Sequence, residues 1–424
     1  MSRLDELIAE LCPDGVEYKE IQELFYLKNG YTPPKSNPSN YEYGTIPWFR
    51  MEDIRENGGI LSDAMQKISQ SAVKGSLFPA NSIIVATSAT IGVHALVTVD
   101  FLCNQRFTCL SLKDVYNEKI CPKFIYYMCF KLDKWCLENS NFSSFASVDM
   151  SRFRGYKIPV PPLPVQEEIV RILDTFSELT AELTAELSKR KQQYQYYRNT
   201  LVDFKDGLDR PFKINKLIAD LCPNGVEYKT LGELATDIFR GSGITRDQVR
   251  KSGTPCVRYG EIYTTYGVWF EECVSFTDES IIPSKKYFEY GDILFAITGE
   301  KVEDIAKSCV YIGKEKCLIG GDIVVMKHTQ NPKYMGYALS TSSAQAQKSK
   351  GKVKSKVVHS SIPSIKEIVI PVPPLPIQKE IVAILDRFDA LCNDLTSGLP
   401  AEIEARKKQY EYYRDKLLTF KEAV

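Results

Sequence analysis

The sequence lacks the features that distinguish membrane proteins and secreted proteins. It contains no apolar run of about 18 residues, the length that a membrane-spanning helix requires. Its first residues, MSRLDELIAELCPDG, alternate charged and apolar side chains and so lack the apolar core of a signal peptide. We therefore expect a cytoplasmic protein with no membrane partner. Its 424 residues suffice for two or more domains of about 100 to 200 residues each.

The sequence also has few of the patterns that hold metals or form disulfides. Only 3 histidines are present, and the 12 cysteines are scattered without a CxxC pair. Structural metal sites and disulfide frameworks need closely spaced ligands or paired cysteines. We predict reduced, buried thiols, no metal site and no cofactor.

Motifs for the common transfer and hydrolysis reactions are absent. The sequence has no P-loop, no HExxH, no nucleophile elbow and no Asn-Pro-Pro-aromatic motif for amino-group methylation. We therefore predict that the chain is not itself an enzyme. Lysine plus arginine equals aspartate plus glutamate at 54 each, so any surface that binds DNA must be local.

The sequence does contain an internal repeat. LCPDGVEYK (11–19) returns as LCPNGVEYK (221–229), IPVPPLPVQEEIV (158–170) returns as IPVPPLPIQKEIV (370–382), and RKQQYQYYR (190–198) returns as RKKQYEYYR (406–414). Between these islands the likeness is faint. A repeat on this scale predicts two structural copies of one unit.

Each copy contains a globular head followed by a long helical segment. Runs such as SIIVAT, HALVTV, DILFAI and DIVVMK, bounded by turn residues, predict strands within an α/β (α+β) head. The prolines of IPVPPLP predict a stiff, extended connector. The resulting domains are a first head at 1–157, a central helical region at 158–209, a second head at 210–369 and a distal helical region at 370–424.

The two helical regions carry apolar residues at alternating intervals of three and four, which is heptad spacing. Because neither stripe has enough neighbours in sequence to cover it, we expect the two helices to run antiparallel and pair as a coiled coil. Gly398 and Pro400 should break the second helix. The tandem word TAELTAEL (180–187) lengthens the first helix by about 6 Å per word. Predicted spacer and partner-docking residues are Leu179, Leu183, Leu187, Tyr194, Tyr197, Tyr410 and Tyr413.

The pattern of two divergent heads, each followed by a PPLP-x-Q connector and a heptad helix, resembles the specificity (S) subunit of type I restriction-modification systems. The resemblance covers nearly the whole chain. It implies that each head recognises one half of a bipartite sequence in double-stranded DNA. It also implies that the helices dock two modification subunits, which methylate adenine with S-adenosylmethionine, and that two restriction subunits complete the nuclease. A protein-protein adaptor with two binding heads on a coiled-coil spacer is the alternative.

The strongest candidate for DNA contact is a row of lysines in AQKSKGKVKSKVVHSS. In an extended chain, alternate residues share one face about 6.6 Å apart, so such a row could follow a phosphate backbone. A solvated edge strand protected by lysines is the alternative. The row comprises Lys348, Lys350, Lys352, Lys354 and Lys356.

The matching place in the first half, ENSNFSSFASVDMSRFR, is rich in serine and asparagine and could contact base edges, or could form a plain turn. Its candidates are Asn141, Ser143, Ser144, Arg152 and Arg154. Arg50 and Arg258 occupy equivalent positions, and each is either a buried structural arginine or a groove-reading residue. Further candidates in loops beside predicted strands are Ser88, Thr90, Asn104, Gln105, Arg106, Arg240, Arg246 and Lys301.

Overall fold

The computed structural model describes residues 2–141, 146–204, 210–349, 352–354, 357–394 and 396–423, with the backbone alone at 352–354 and 357. The chain forms two compact units: unit 1 comprises Met1–Glu182 and Ile403–Val424, and unit 2 comprises Leu183–Glu402. Each unit therefore contains one head and a part of both helical regions. No helix in the described part of the chain combines the length and the apolar character needed to cross a membrane.

The first half of the chain forms a mixed sheet-and-helix head. Its helices are α1 Arg3–Leu11, α2 Ile21–Leu24, α3 Met51–Asn57, α4 Pro122–Glu138, α5 Met150–Arg154 and α6 Leu163–Val202. Its strands are β1 Tyr18–Glu20, β2 Phe25–Asn29, β3 Ile46–Phe49, β4 Ile60–Leu61, β5 Lys67–Ile68, β6 Ser82–Ala86, β7 His94–Val97, β8 Leu102–Cys103, β9 Phe107–Leu112, β10 Ser140–Asn141, β11 Ser147–Val148 and β12 Lys157–Pro159.

The second half forms a head of the same kind. Its helices are α7 Phe212–Leu221, α8 Leu231–Leu234, α9 Tyr259–Thr264, α10 Pro332–Leu339, α11 Ser342–Lys348, α12 Ile362–Lys366, α13 Leu375–Asn393 and α14 Leu399–Leu417. Its strands are β13 Tyr228–Thr230, β14 Asp237–Arg240, β15 Val249–Arg250, β16 Thr254–Val257, β17 Trp269–Phe270, β18 Ser275–Thr277, β19 Tyr287–Phe288, β20 Ile293–Ala296, β21 Thr298–Gly299, β22 Ser308–Tyr311, β23 Cys317–Ile319, β24 Ile323–Lys327, β25 Lys352–Lys354, β26 Val357–His359 and β27 Val369–Pro371.

The central sheets of the two heads have the same strand order. It is β2-β9-β6-β7-β4 in unit 1 and β14-β24-β20-β22-β17 in unit 2. In β6, Ile83 and Val85 pack into one hydrophobic cluster while Ile84 and Ala86 pack into another, so this strand is buried on both faces. Burial on both faces explains why the predicted strands are continuous apolar runs without alternation. The internal repeat is therefore structural, and it extends through the segments in which the two halves have little sequence similarity.

The glutamine of each PPLP-x-Q connector is fully buried and fixes the start of the helical region. Gln166 donates from Nε2 to Pro161 O at 2.7 Å and to Lys119 O at 2.8 Å, and its Oε1 accepts from Cys121 N at 2.9 Å. Gln378 repeats the contact with the connector, at 2.7 Å from Pro373 O. The motif thus has a structural reason, because it joins the connector to the segment that precedes α4 or α10.

The two helical regions form the predicted long helices and pair within each unit. Helix α6 has 40 residues, about 60 Å, and runs without interruption through TAELTAEL. The predicted break of the second region at Gly398 is confirmed, since α13 ends at Asn393 and α14 begins at Leu399. Phe176 of α6 stacks on Tyr413 of α14 at 5.6 Å in unit 1. In unit 2, the later α6 residue Tyr197 stacks on Phe388 of α13 at 5.1 Å, as expected of antiparallel pairing.

Residues 420–423 pack against the Cys-Pro-Asp-Gly turn that follows α1 in unit 1. The N–H of Val16 donates to Lys421 O at 2.8 Å, and the N–H of Ala423 donates to Val16 O at 3.0 Å. The hydroxyl of Tyr18 donates to Phe420 O at 2.9 Å. Segments more than 400 positions apart in sequence are therefore joined by main-chain hydrogen bonds in this unit.

Substitution of Gly15 by alanine should destabilise unit 1 more than the equivalent Gly225→Ala change destabilises unit 2. Both glycines have positive φ, +112° and +89°, so a side chain strains either turn by about 1–2 kcal/mol. Only at Gly15 would the new Cβ also lie 2.8 Å from Lys421 O and 2.9 Å from Ala423 N, whereas at Gly225 nothing lies within 4 Å. Urea unfolding and hydrogen exchange at 421–423 measure the difference. Equal losses in the two variants would contradict the packing of this segment.

Candidate nucleic-acid interface

In unit 1 the loop after β6 contacts the β10–β11 hairpin. The N–H of Ala89 donates to Ala146 O, and the N–H of Val148 donates to Thr87 O, each at 2.9 Å. Ser88 pairs with Ser147 as an isolated bridge. The structure therefore brings together two segments whose residues were predicted separately: Ser88 and Thr90 in the loop, and Asn141 in the hairpin.

The turn that contains Asn104, Gln105 and Arg106 joins the same surface. Arg106 O accepts from the N–H of Thr87 at 3.0 Å, and the N–H of Asn104 donates to Phe49 O, next to Arg50, at 3.0 Å. Gln105 and Arg106 are exposed, and Gln105 accepts a hydrogen bond from the hydroxyl of Thr32. We call the surface formed by the loop after β6, this turn and the hairpin the loop edge of unit 1.

Arg152, which lies in α5, extends the loop edge. Its Nη1 donates to Asn139 Oδ1 at 3.4 Å, and Asn139 O accepts from the N–H of Asp149 at 3.3 Å. Hydrogen bonds from the hydroxyl and N–H of Ser151 hold the pKa of Asp149 below its usual value, so this carboxylate stays charged as the cap of α5. Arg154 is exposed at the end of α5. Ser143 and Ser144 lie outside the described residues.

Unit 2 builds its loop edge with the same main-chain contacts. Thr298 and Gly299 of β21, just after β20, pair with β26 of the β25–β26 hairpin. The N–H of Ile297 donates to Asp322 O at 2.9 Å, and the N–H of Gly320 donates to Val257 O, next to Arg258, at 2.8 Å. Lys301 is exposed in the loop that follows β21.

The side chains at equivalent positions of the two loop edges differ. Where unit 1 has Asn104-Gln105-Arg106, unit 2 has Gly320-Gly321-Asp322, a segment that the sequence did not suggest as a site. Asp322 forms an ion pair with Arg240, whereas Arg106 has no acidic partner among the described residues. FPANSIIVA and FEYGDILFA are only faintly similar, but aligning them, and then aligning β9 with β24, shows which residues of unit 2 correspond to Asn104-Gln105-Arg106. Arg246 lies in the turn before β15, in the other five-stranded sheet.

Arg50 and Arg258 are equivalent, as predicted, and each occupies the N-cap position of the helix that follows it. The N–H of Arg50 donates to Asp53 and the N–H of Arg258 donates to Glu261. The guanidinium of Arg258 is also bound, because its Nε donates to Glu261 at 3.1 Å. The Nε of Arg50 is buried and has no hydrogen-bond partner among the described residues, and it lies 4.0 Å from the carboxylate of Glu52. The guanidinium of Arg50 is therefore held less tightly by carboxylates than that of Arg258.

The predicted row of five lysines is not one exposed row. Lys348 is the last residue of α11 and only 5% exposed, so its assignment as a phosphate contact on an extended chain was wrong. The segment SSAQAQK is polar and has no heptad pattern, but it forms a helix because Thr341 caps its N-terminus. The hydroxyl of Thr341 accepts a hydrogen bond from the N–H of Ala344. Lys352 and Lys354 lie in β25, extended as predicted. Lys350 and Lys356 lie outside the described residues.

The predicted docking residues of the helices differ in accessibility. Tyr194 is buried, and its hydroxyl donates to Asp389 at 3.0 Å. Leu187 and Tyr197 pack against the core of unit 2, and Tyr410 packs against the core of unit 1. Leu179 and Tyr413 are exposed, and Leu183 is half-buried. Tyr194, Leu187, Tyr197 and Tyr410 therefore stabilise the chain itself, which leaves Leu179 and Tyr413 as the docking candidates with the most accessible surface.

A cleft of about 1120 Å³ in unit 2 has the wrong charge for DNA. Its lining has an excess of acidic residues, including Glu271 and Glu272 after β17 and Asp386 and Asp389 of α13, over its four basic residues, which are Arg198, Lys307, Lys333 and Lys348. This excess of negative charge repels phosphate, so the loop edge is the better candidate for a nucleic-acid surface. No cluster of three or more potential metal ligands occurs within the described ranges, and the cysteines are free thiols.

The two halves of the chain match a known family of domains. The family model of the type I restriction modification DNA specificity domain matches residues 13–190 and, a second time, residues 223–405. The chain belongs to this family. The two matches follow the internal repeat, and each contains a head, a connector and part of a helical region.

Relatives of this family share long stretches of sequence with the chain. The specificity subunit of the type I restriction enzyme EcoprrI of Escherichia coli is 55% identical over 220 residues, 49% of this chain and 54% of that protein. The specificity subunit of EcoR124I/EcoR124II of Escherichia coli is 32% identical over 330 residues, 72% of each chain. A chain from a structure of type I R-M complex assembly and conformational transition matches 96% of this chain and 98% of its own length, with 17% identity and a TM-score of 0.64. At that identity the likeness shows the fold alone.

Proposed function

We propose that this chain is the DNA-recognition subunit of a type I restriction-modification complex and that each unit recognises one half of a bipartite target. The observation that carries this proposal is the pair of loop edges. Both are built by the same main-chain contacts at the ends of equivalent strands, yet they display different side chains. A constant frame with different polar groups suits the recognition of two different short sequences.

The polar groups of the loop edges suit the two kinds of contact that DNA offers. Asparagine and glutamine can contact adenine, arginine can contact guanine, and lysines neutralise phosphates without distinguishing bases. Unit 1 presents Asn104, Gln105 and Arg106, whereas unit 2 has Gly320, Gly321 and Asp322 at the equivalent turn and the exposed Lys301 in the loop after β21. Unit 1 therefore supplies more groups suited to base contact, and Lys301 of unit 2 is suited to phosphate.

Catalysis belongs, in this proposal, to partner proteins. Two modification subunits dock on the helical regions and transfer methyl groups from S-adenosylmethionine to adenine, one near each half-site, and two restriction subunits add the nuclease. The present chain supplies sequence recognition and the spacing between the half-sites. Its neutral net charge, with 54 basic and 54 acidic residues, predicts weak DNA binding until the partners enclose the duplex.

The test is to map methylated adenines in a host that expresses the chain with its modification subunits. One split motif, with two constant parts and a fixed gap, should appear and should disappear when the gene for this chain is deleted. A control strain carries the modification subunits alone. A continuous motif, or methylation that persists without the chain, would refute the proposal, and an adaptor with no role in DNA recognition would leave methylation unchanged.

A further inference from the structure

Lys348 makes a specific buried contact at the base of the β25–β26 hairpin. Its Nζ donates to the carbonyl of Leu339 at 2.7 Å and to the hydroxyl of Ser308 at 2.9 Å. Leu339 is the last residue of α10, where carbonyl groups lack partners within the helix, and Ser308 is the first residue of β22. A single side chain therefore connects α11, α10 and the central sheet, four residues before β25 begins at Lys352.

Unit 1 has a buried polar contact at the same strand position. His94 stands opposite Val85, and Ser308 stands opposite Phe295, each partner being the next-to-last residue of its strand. The Nδ1 of His94 lies 2.6 Å from Asp133 of α4, the helix that leads into the β10–β11 hairpin. In each unit a polar contact thus joins the first residue of this strand, His94 or Ser308, to the helix that precedes the hairpin. The side chains that make the contact are chemically different in the two units.

The charge around Lys348 does not explain its burial as part of an ion pair. No carboxylate among the described residues lies within ion-pair distance of its Nζ, and the charged or titratable groups that face it are Arg198 of α6, Lys307 and Cys309. Lys348 lines the acidic cleft of unit 2 together with Glu303 and Asp304, and neither of these carboxylates forms an ion pair with its Nζ. Burial, together with the two cations, lowers the pKa of Lys348 to about 7. A neutral amine has two N–H groups, which matches its two acceptors.

We propose that Lys348 is a positioning residue for the β25–β26 hairpin, as the His94–Asp133 pair is for the β10–β11 hairpin, and that these contacts set the base preference of each half-site. A polar contact inside an apolar layer fixes one arrangement of the helix against the sheet, whereas apolar packing alone tolerates several. The hairpin follows α11 in the chain and pairs with β21 at the loop edge, so the position of α11 and the pairing with β21 together set its orientation toward DNA. This inference rests on the proposed recognition function.

The decisive experiment compares Lys348→Met with the double variant Lys352→Gln/Lys354→Gln in the assembled complex with the modification subunits. Binding is measured on the mapped target and on duplexes with one altered base pair in either half-site. We expect K348M to lower discrimination at least tenfold in one half-site only, with an unchanged slope of log affinity against log salt. In the double lysine variant the negative slope should become shallower by about 1.8, which is about 0.9 for each lost phosphate contact. Its discrimination between duplexes should stay within twofold of that of wild type.

A second pair of variants guards against misfolding. Ser308→Ala removes one acceptor and keeps the Leu339 contact, so it should shift discrimination in the same half-site by less than K348M. Asp133→Asn should act on the other half-site alone. If the slope of log affinity against log salt became shallower by about 0.9 in K348M, Lys348 would contact a phosphate directly and the inference would be overturned. Unchanged discrimination in both K348M and S308A would also overturn it. If the wild-type complex did not methylate a split motif at all, that result would instead refute the proposed function.

The pH dependence of stability provides a further test, because it would not depend on Lys348 if this side chain contributed only apolar packing. The pKa of Lys348 is about 7 in the folded chain. In the unfolded chain a lysine pKa is about 10.4. Between these values the unfolded chain holds the extra proton, so the contribution of Lys348 to stability rises with pH over that window. The unfolding temperature of wild type, relative to K348M, should therefore rise between pH 7 and pH 9, and parallel curves would contradict the inference.

Discussion

Deletion of Thr184–Leu187, one TAEL word, should shorten the gap of the recognised motif and leave both half-sites unchanged. Helix α6 is continuous through this segment, so the loss of four residues shortens it by about 6 Å and turns the following part by about 40°. At about 3.4 Å per base pair, that length corresponds to about two base pairs. A duplex with the original gap should lose about 100-fold or more in affinity, because the two units can no longer engage together.

The measurement is methylation of a series of duplexes that differ only in the number of base pairs between the half-sites. Ala185→Glu, at an exposed position in the same word, keeps the helix length and serves as the matched control. It should retain the original gap. A deletion variant that prefers the original gap, or that changes a half-site base, would contradict the role of α6 as the spacer.

Substitution of Gln166 by alanine should cost unit 1 about 3–5 kcal/mol of unfolding free energy. The change removes three hydrogen bonds of a fully buried side chain and leaves Pro161 O, Lys119 O and Cys121 N without partners, at about 1–3 kcal/mol each. Chemical denaturation followed by hydrogen exchange of α4 measures the loss. The same change at Gln378 should destabilise unit 2 by a similar amount.

The neighbouring residue Glu167 provides the control for this substitution. It is exposed in the same helical turn, so Glu167→Ala should change the unfolding free energy by less than about 0.5 kcal/mol. If Gln166→Ala proved equally mild, the repeated connector motif would need another explanation than the buried amide.

The sequence predicted those features that depend on periodicity and on backbone chemistry. The heptad spacing identified the helices, Gly398 and Pro400 identified the break between α13 and α14, and apolar runs identified β6, β7, β20 and β24. These predictions held because period and backbone restriction are local properties of the chain. The family followed from the same repeated islands.

The composition of the candidate site was predictable only in part. Ser88, Thr90, Asn104 and Arg106 were recognised as polar groups beside strands, but their convergence depends on strand pairing between distant segments. The segment Gly320-Gly321-Asp322 was missed, because its equivalence to 104–106 is visible only through the sheet. Lys348 was misjudged because alternate lysines fit a strand, whereas the Thr341 cap and the acceptors at Leu339 and Ser308 favour a helix end.

The division of the chain between the units also determines the order in which they can be completed during synthesis. Unit 2 is a single continuous stretch, Leu183–Glu402, so all of its parts have been made before most of α14 has been synthesised. Unit 1 has to wait for Ile403–Val424, although its head is synthesised first. Domains usually fold in the order of translation. In this chain the second head can be finished first, while the first keeps the surface for α14 uncovered until α14 itself has been made.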